Sequence, residues 1–299
     1  MSWTETATIF ETSWDTVYRA VQMAVVWGLF HRDLSNVTAI AIDEISRQKG
    51  HKYVTLVYQI DDNHKRLLWV GDRREEQTLD AFFKWFGKER TDKLGAICSD
   101  MWKPYLKVIK ARAPKAVHVL DRFHIMSNMG KAIDKVRAEE ARKMATAWYE
   151  PVLKKTRFLL LKRSENLSAA QEIKLSDLVK YNLKSVRAYL LKEDFQNFWN
   201  YKSSAWAAKF LDRWCNQTMK SKIEPMKDIA KMLRRHKRLI LNWFEMQRKI
   251  SDGIVEGFNT KAKLTTRKAF GFRTYKVHRI ALLHQLGDLP TPDFLPKLC

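Results

Sequence analysis

The sequence predicts an α/β fold: a mixed sheet flanked by helices, joined to a large all-helical stretch. Three observations predict it. The runs Val37-Thr-Ala-Ile-Ala-Ile-Asp43 and Leu94-Gly-Ala-Ile-Cys-Ser-Asp100 are short, apolar and bounded by polar residues, the pattern of buried strands. Segments of helical period separate the later strands. From about residue 123 to 250, Leu, Phe and Trp recur at three- and four-residue intervals, as in packed helices. A chain of 299 residues that is 45% hydrophobic has material for about two domains.

Residues 4–30 read as two short helices, Glu5 to Phe10 and Trp14 to Trp27, joined by Glu11-Thr12-Ser13. Ser13 is a natural N-cap, and Asp15 suits the positive end of the helix dipole. This pair resembles the last two helices of a helix-turn-helix, whose second member, carrying Arg19, would meet DNA; a packing arm has the same pattern. Three strands follow: the run ending at Asp43, then Lys52 to Ile60, then Arg66 to Val70. Their short connections, including the turn Asp61-Asp62-Asn63-His64, make them antiparallel. Then come a helix near Gln77 to Gly87, the strand ending at Asp100, a helix near Pro104 to Ala111 and a strand from Ala116 to Asp121. The order β-β-β-α-β-α-β, with the last strands parallel, is that of a ribonuclease-H-like core, although other α/β folds share it.

The helical stretch carries a capping box at Ser168-Ala-Ala-Gln171. The aromatic series Phe195, Phe198, Trp199 and Trp206 reads as bundle core, with base stacking the alternative. Lys154-Lys155, Arg234-Arg235 and Lys237-Arg238 suit either a phosphate backbone or a solvated face. After a turn at Asp252-Gly253, a helical pattern places Glu256, Asn259 and Lys263 on one face. From Gly257 to Gly287 there is no acidic residue, whereas Lys261, Lys263, Arg267, Lys268 and Arg273 all occur and would hold a phosphate backbone.

Lys and Arg total 55 against 33 Asp and Glu, a formal charge of +22. That excess favours nucleic acid over an anionic membrane surface. No apolar run approaches the ~20 residues that span a bilayer, so no membrane role is expected. Cys98, Cys215 and Cys299 form neither a pairing framework nor a zinc signature, which suits the cytosol.

Asp43 and Asp100 each end a predicted strand, where open α/β sheets place their ligands. Carboxylates are hard oxygen donors suited to Mg²⁺ or Mn²⁺. Glu256 heads an otherwise basic helix and is either a salt-bridge anchor or a third oxygen ligand. Glu44 would face away from Asp43 by strand alternation. Asp61 and Asp62 belong to a turn. Asp121 ends a predicted strand, and His124, three residues on, caps or pairs locally.

The strings Ile42-Asp-Glu44, Tyr53-Val-Thr-Leu56, Leu68-Trp-Val-Gly71, Ser99-Asp-Met-Trp-Lys-Pro-Tyr105, Asp121-Arg-Phe-His124, Thr156-Arg-Phe-Leu-Leu-Leu161, Val255-Glu-Gly-Phe-Asn259 and Ala269-Phe-Gly-Phe272 resemble, in order, those of the ISL-three insertion-sequence transposases. The resemblance implies a ribonuclease-H-like core with an all-helical insertion between the second Asp and the Glu. Under it, 1–35 is a partial helix-turn-helix, 36–125 the first part of the core, 126–250 the insertion and 251–299 the rest of the core. It further implies a DDE triad of Asp43, Asp100 and Glu256 binding two Mg²⁺ or Mn²⁺ ions, with Asp121, His124 and Asn259 in support. The implied activity is cleavage of double-stranded DNA at element ends and strand transfer into target DNA, by a cytoplasmic, nucleoid-associated prokaryotic protein acting as a homodimer on DNA. Relatives resemble longer chains with a cysteine-rich zinc-binding segment, so a shortened copy is expected. The competing functions are a decayed transposase that only binds DNA, and a nuclease that cuts without joining.

Overall fold

The computed structural model describes residues 1–48, 50, 52–147, 152–246 and 252–292, with side chains from 255 onward in the last stretch. Cys299 and the boundary expected between 250 and 251 lie outside them. The chain divides into two compact units, Met1–Leu120 with Arg248–Cys299, and Asp121–Gln247.

The first unit is built on five strands: β1 (Ala39–Gln48), β2 (Lys52–Asp61), β3 (His64–Asp72), β4 (Ala96–Ser99) and β5 (Val117–Leu120). Their order across the sheet is β3-β2-β1-β4-β5, antiparallel among the first three and parallel from β1 through β4 to β5. The mixed sheet predicted from the sequence is therefore present. One detail differs: Asp43 lies inside β1, which runs on to Gln48. The antiparallel partner β2 supplies ladder bonds as far as the Gln48–Lys52 pair, whereas β4 pairs with β1 only up to Ala41–Cys98. Asp43 is thus two residues beyond the last parallel pair on β1, and Asp100 stands two residues beyond it on β4.

Alternation along β1 sends Ile40, Ile42 and Glu44 to one face, and Ala41, Asp43 and Ile45 to the other. The first face is covered by α3 (Glu76–Phe86) and α5 (Lys103–Arg112), whose Leu79, Phe82, Phe86, Tyr105 and Ile109 pack with Ile40, Ile42, Val57 and Ile97. Between them the short α4 (Lys88–Asp92), not foreseen from the sequence, follows Gly87, whose φ of 86° ends α3. On the second face α12 (Asp252–Lys268) packs against β1, and α13 (Tyr275–Leu286) against β3, where Tyr275 Oη donates to the Val70 carbonyl at 2.7 Å. Asp252-Gly253 forms the first turn of α12 rather than a turn before it.

The N-terminal pair is α1 (Trp3–Ile9) and α2 (Trp14–His31). Ser2 caps α1 through a reciprocal bond pair with Glu5, and Ser13 caps α2 by accepting from the Thr16 N–H at 3.1 Å. Trp3 meets Trp14 and Tyr18, with ring centroids 5.9 and 5.7 Å away, and α2 packs on α13.

The second unit is helical: α6 (Arg122–Thr146), α7 (Arg157–Leu161), α8 (Ala169–Lys180), α9 (Lys184–Gln196), α10 (Ser204–Met219) and α11 (Glu224–Glu245). The Ser168 N–H donates to Gln171 Oε1 at 3.1 Å at the start of α8, as the capping pattern predicts. Phe195, Phe198 and Trp199 are buried and gather Trp214, Trp243 and Phe244 around them. Trp206 departs from the expected stripe: it is exposed, with Lys209 Nζ 4.4 Å from its ring centroid. Among the basic pairs, Lys237 salt-bridges Asp212 at 2.7 Å and Arg234 bonds Asn216 at 2.6 Å. Among the described residues, no helix is long and apolar enough to cross a membrane, and Cys98 and Cys215 are buried and in no disulfide.

Candidate active site

Asp43 projects from β1 toward α12 and is 8% exposed. Its Oδ1 accepts from the Glu44 N–H at 2.8 Å, and its Oδ2 accepts from the Nδ2 of Asn259, on α12. The Asn259 side chain is itself set by Tyr58 of β2, whose Oη donates to Asn259 Oδ1 at 2.9 Å. Phe258 stacks on the Tyr58 ring at 5.0 Å. An amide donates through nitrogen and accepts through oxygen, so this relay leaves Asn259 one orientation and keeps Asp43 an acceptor. Burial and the Asp43 charge push the Tyr58 phenol well above its ordinary pKa, so it remains a donor.

Asp100, the first residue after β4, is 9% exposed. Its Oδ1 accepts from the Trp102 N–H at 2.9 Å, and its Oδ2 pairs with Arg74 Nη2 at 2.7 Å. Arg74 also pairs, through Nε, with Glu44 Oε1 at 2.9 Å, and its guanidinium lies 4.6 Å from the Trp102 ring centroid. Glu44 faces away from Asp43 as alternation requires, yet it belongs to the same cluster of charges. Its pKa is pushed up to about 7, first by burial, then by the neighbouring Asp100 carboxylate, against the lowering effect of Arg74, with Asp43 adding to the rise. Two carboxylates, Glu44 and Asp100, thus share one guanidinium, and the charge of a third, Asp43, is near enough to raise the Glu44 pKa. Such a surplus of hard oxygen donors fits a divalent cation.

Glu256 lies on α12 three residues before Asn259, hence about one turn away along the helix, and is exposed. The expected common face is split. Val255, Asn259 and Ala262 form the buried stripe of α12, whereas Glu256 and Lys263 flank it in solvent. Asn259, at the edge of that face, turns inward to Asp43, a contact between residues far apart in the chain. Lys261, Lys263, Arg267 and Lys268 line the exposed side of α12, and Arg273 is exposed in the connection to α13. Arg19 is exposed on α2, 4.0 Å from Asp15.

In the helical unit, Asp121 is the N-cap of α6 and accepts from the Phe123 N–H at 2.8 Å. His124 Nε2 lies 3.5 Å from Asp121 Oδ2. Asp121 directly follows Leu120, the residue of β5 that pairs with Ser99, just as Asp100 directly follows Ser99 on β4.

Sequence reasoning missed Arg74 and Tyr58 and set Glu44 aside. Tyr58 reads as one more alternating strand residue, and Arg74 as one of two arginines after a strand; no local pattern marks either.

Comparison with known proteins identifies the relatives of this chain. A family model described as transposase, of the DDE class and ISL3 type, matches residues 40–282. The chain is similar to the transposase for insertion sequence element IS1001 of Bordetella parapertussis, at 30% identity over 269 residues, which are 89% of this chain and 65% of that protein. It is also similar to the transposase for insertion sequence element IS1557 of Mycobacterium tuberculosis, at 30% identity over an alignment of 311 positions that covers 95% of this chain and 68% of that protein. The chain spans about two thirds of the length of these relatives.

Proposed function

The chain belongs to the ISL3 family of DDE transposases, and from that premise we propose that it carries out divalent-metal-dependent cleavage of double-stranded DNA at insertion-sequence ends and transfer of the freed strand into target DNA. One observation supports the chemistry above the rest: buried Asp43 is oriented by Asn259 of the Glu256-bearing helix, and Asp100, just past the end of the neighbouring strand, stands at the equivalent step beyond the last parallel pair.

In this reading Asp43, Asp100 and Glu256 hold two Mg²⁺ or Mn²⁺ ions, which supply charge stabilisation at the attacked phosphate and its leaving oxygen. Tyr58 and Asn259 keep Asp43 aimed. Arg74 positions Asp100. Lys261, Lys263, Arg267, Lys268 and Arg273 hold the phosphate backbone, Arg19 extends that contact along α2, and Asp121 and His124 act in support. Water attacks the phosphodiester in line, its oxygen bonds to phosphorus, and the 3′ oxygen leaves with a proton. The resulting 3′ hydroxyl then attacks a target phosphodiester in the same way. The helical unit is an insertion in the core, and two copies acting on paired DNA ends form the working assembly in the cytoplasm.

The test is incubation with labelled element-end DNA and Mg²⁺. Joined product supports the proposal, cut product alone makes the chain a nuclease, and absence of product leaves a DNA-binding protein. Asp43→Asn is expected to abolish cleavage while DNA affinity, measured by fluorescence anisotropy, stays within about twofold; a variant that cuts normally removes Asp43 from the site.

A further inference from the structure

The connection between α12 and α13 presents Phe270 wholly to solvent, at 102% exposure, the largest among the exposed hydrophobic side chains of the described residues. Its backbone is left-handed, with φ 51°, a conformation a bulky side chain seldom takes, and Gly271 follows at φ 94°. The turn is nonetheless well built. The Phe270 N–H donates to the Arg267 carbonyl at 3.0 Å and the Gly271 N–H to the Thr266 carbonyl at 2.9 Å, closing the end of α12. Two residues on, Phe272 is buried; its ring stacks on His278 at 5.0 Å and meets Trp3 at 6.3 Å, and its carbonyl accepts from Gln48 Nε2 at 3.1 Å. An anchored base therefore holds an aromatic ring outward in a strained conformation, and neither the exposure nor the strain contributes to folding.

The surroundings indicate what the ring meets. Arg267, Lys268 and Arg273 are exposed on both sides of it, and no acidic residue occurs from Gly257 to Gly287. Ala269 and Gly271, the two neighbours of Phe270, line a groove of about 680 Å³ together with Trp3, Trp14, Lys261 and Lys268. Cations that bind phosphates, a projecting apolar ring and an aromatic recess form a set suited to prising apart a duplex. Resting on the DNA reading above, we propose that Phe270 is a wedge that inserts into a base step of double-stranded DNA, with the displaced base received in the adjoining aromatic groove.

Two 30-base-pair duplexes test this, one fully matched and one with a single central mismatch, each carrying 2-aminopurine at the centre. A mismatch lowers the cost of unstacking, so a wedge prefers it. The wild-type protein is expected to bind the mismatched duplex about tenfold more tightly than the matched one and to raise its 2-aminopurine fluorescence. Phe270→Ala should lose both effects while binding the matched duplex within twofold of wild type, and Phe270→Trp should retain them. Circular-dichroism melting confirms that each variant is folded. DNA binding with no mismatch preference and no fluorescence rise overturns the wedge and leaves the DNA reading intact. Failure to bind either duplex at low salt overturns the DNA reading itself. Loss of anionic-vesicle binding in Phe270→Ala, with both DNA effects unchanged, reassigns the ring to lipid.

Discussion

Arg74 shows how much of this site depends on one side chain. Its guanidinium pairs with both the Glu44 and the Asp100 carboxylate, at 2.9 and 2.7 Å, and its fork reaches both at once. Removing one partner of a buried ion pair costs more than the pair contributes, because the remaining charge stays desolvated. Arg74 is partly exposed, so the penalty is reduced by solvent. Arg74→Ala is expected to lower stability by about 2 kcal/mol, read as a fall in the urea midpoint at pH 8. Arg74→Lys should recover only part of it, since a single ammonium cannot span two carboxylates in the same geometry. Equal midpoints for Ala and wild type would mean that the two acids relax into water on their own.

At the level of elements, the α12–α13 hairpin closes on itself around a polar group that must stay neutral. His278 of α13 is fully buried, its Nε2 lies 3.0 Å from Thr266 Oγ1 of α12, and its ring stacks on Phe272. Burial, with a smaller contribution from the Arg47 charge, pushes its pKa down to about 4 from 6.5. The unfolded chain takes up this proton near pH 6.5 and the folded one resists until about pH 4. Over that interval the unfolded state binds more protons, so stability is complete above 6.5 and declines as the pH falls toward 4. The loss from this one group is on the order of 3 kcal/mol. Urea midpoints at pH 7.5 and pH 5 should therefore differ, and His278→Gln should flatten the difference. A variant with the same acid sensitivity as wild type would place the responsible group elsewhere.

For the whole molecule, the formal charge of +22 sets how DNA is met. Each phosphate neutralised releases condensed counterions, so log affinity falls with log salt by about 0.9 per contact. Lys261 and Lys263 are exposed on one stretch of α12. Replacing both with Ala should reduce the salt slope by about 2, measured by anisotropy from 50 to 200 mM NaCl, and weaken binding similarly on unrelated sequences. An unchanged slope would show that DNA lies on another surface.

The alternation of apolar runs with short turns determined the sheet in advance, including the antiparallel trio and the parallel return through β4 and β5, because strand period and connection length are local properties. The caps at Ser13 and Ser168, the candidates Asp43 and Asp100 and the acid-free basic run were also legible, being matters of residue type and near spacing. Tertiary structure alone decided that β1 continues past Asp43, since its length is set by a partner strand, and that Asn259 turns inward while Glu256 and Lys263 stay in solvent. It alone joined Arg74 to Glu44 and Asp100, and sent Phe270 outward while burying Phe272. Each of these depends on contacts between distant parts of the chain, where burial and charge pairing set the outcome and local periodicity carries no record of them.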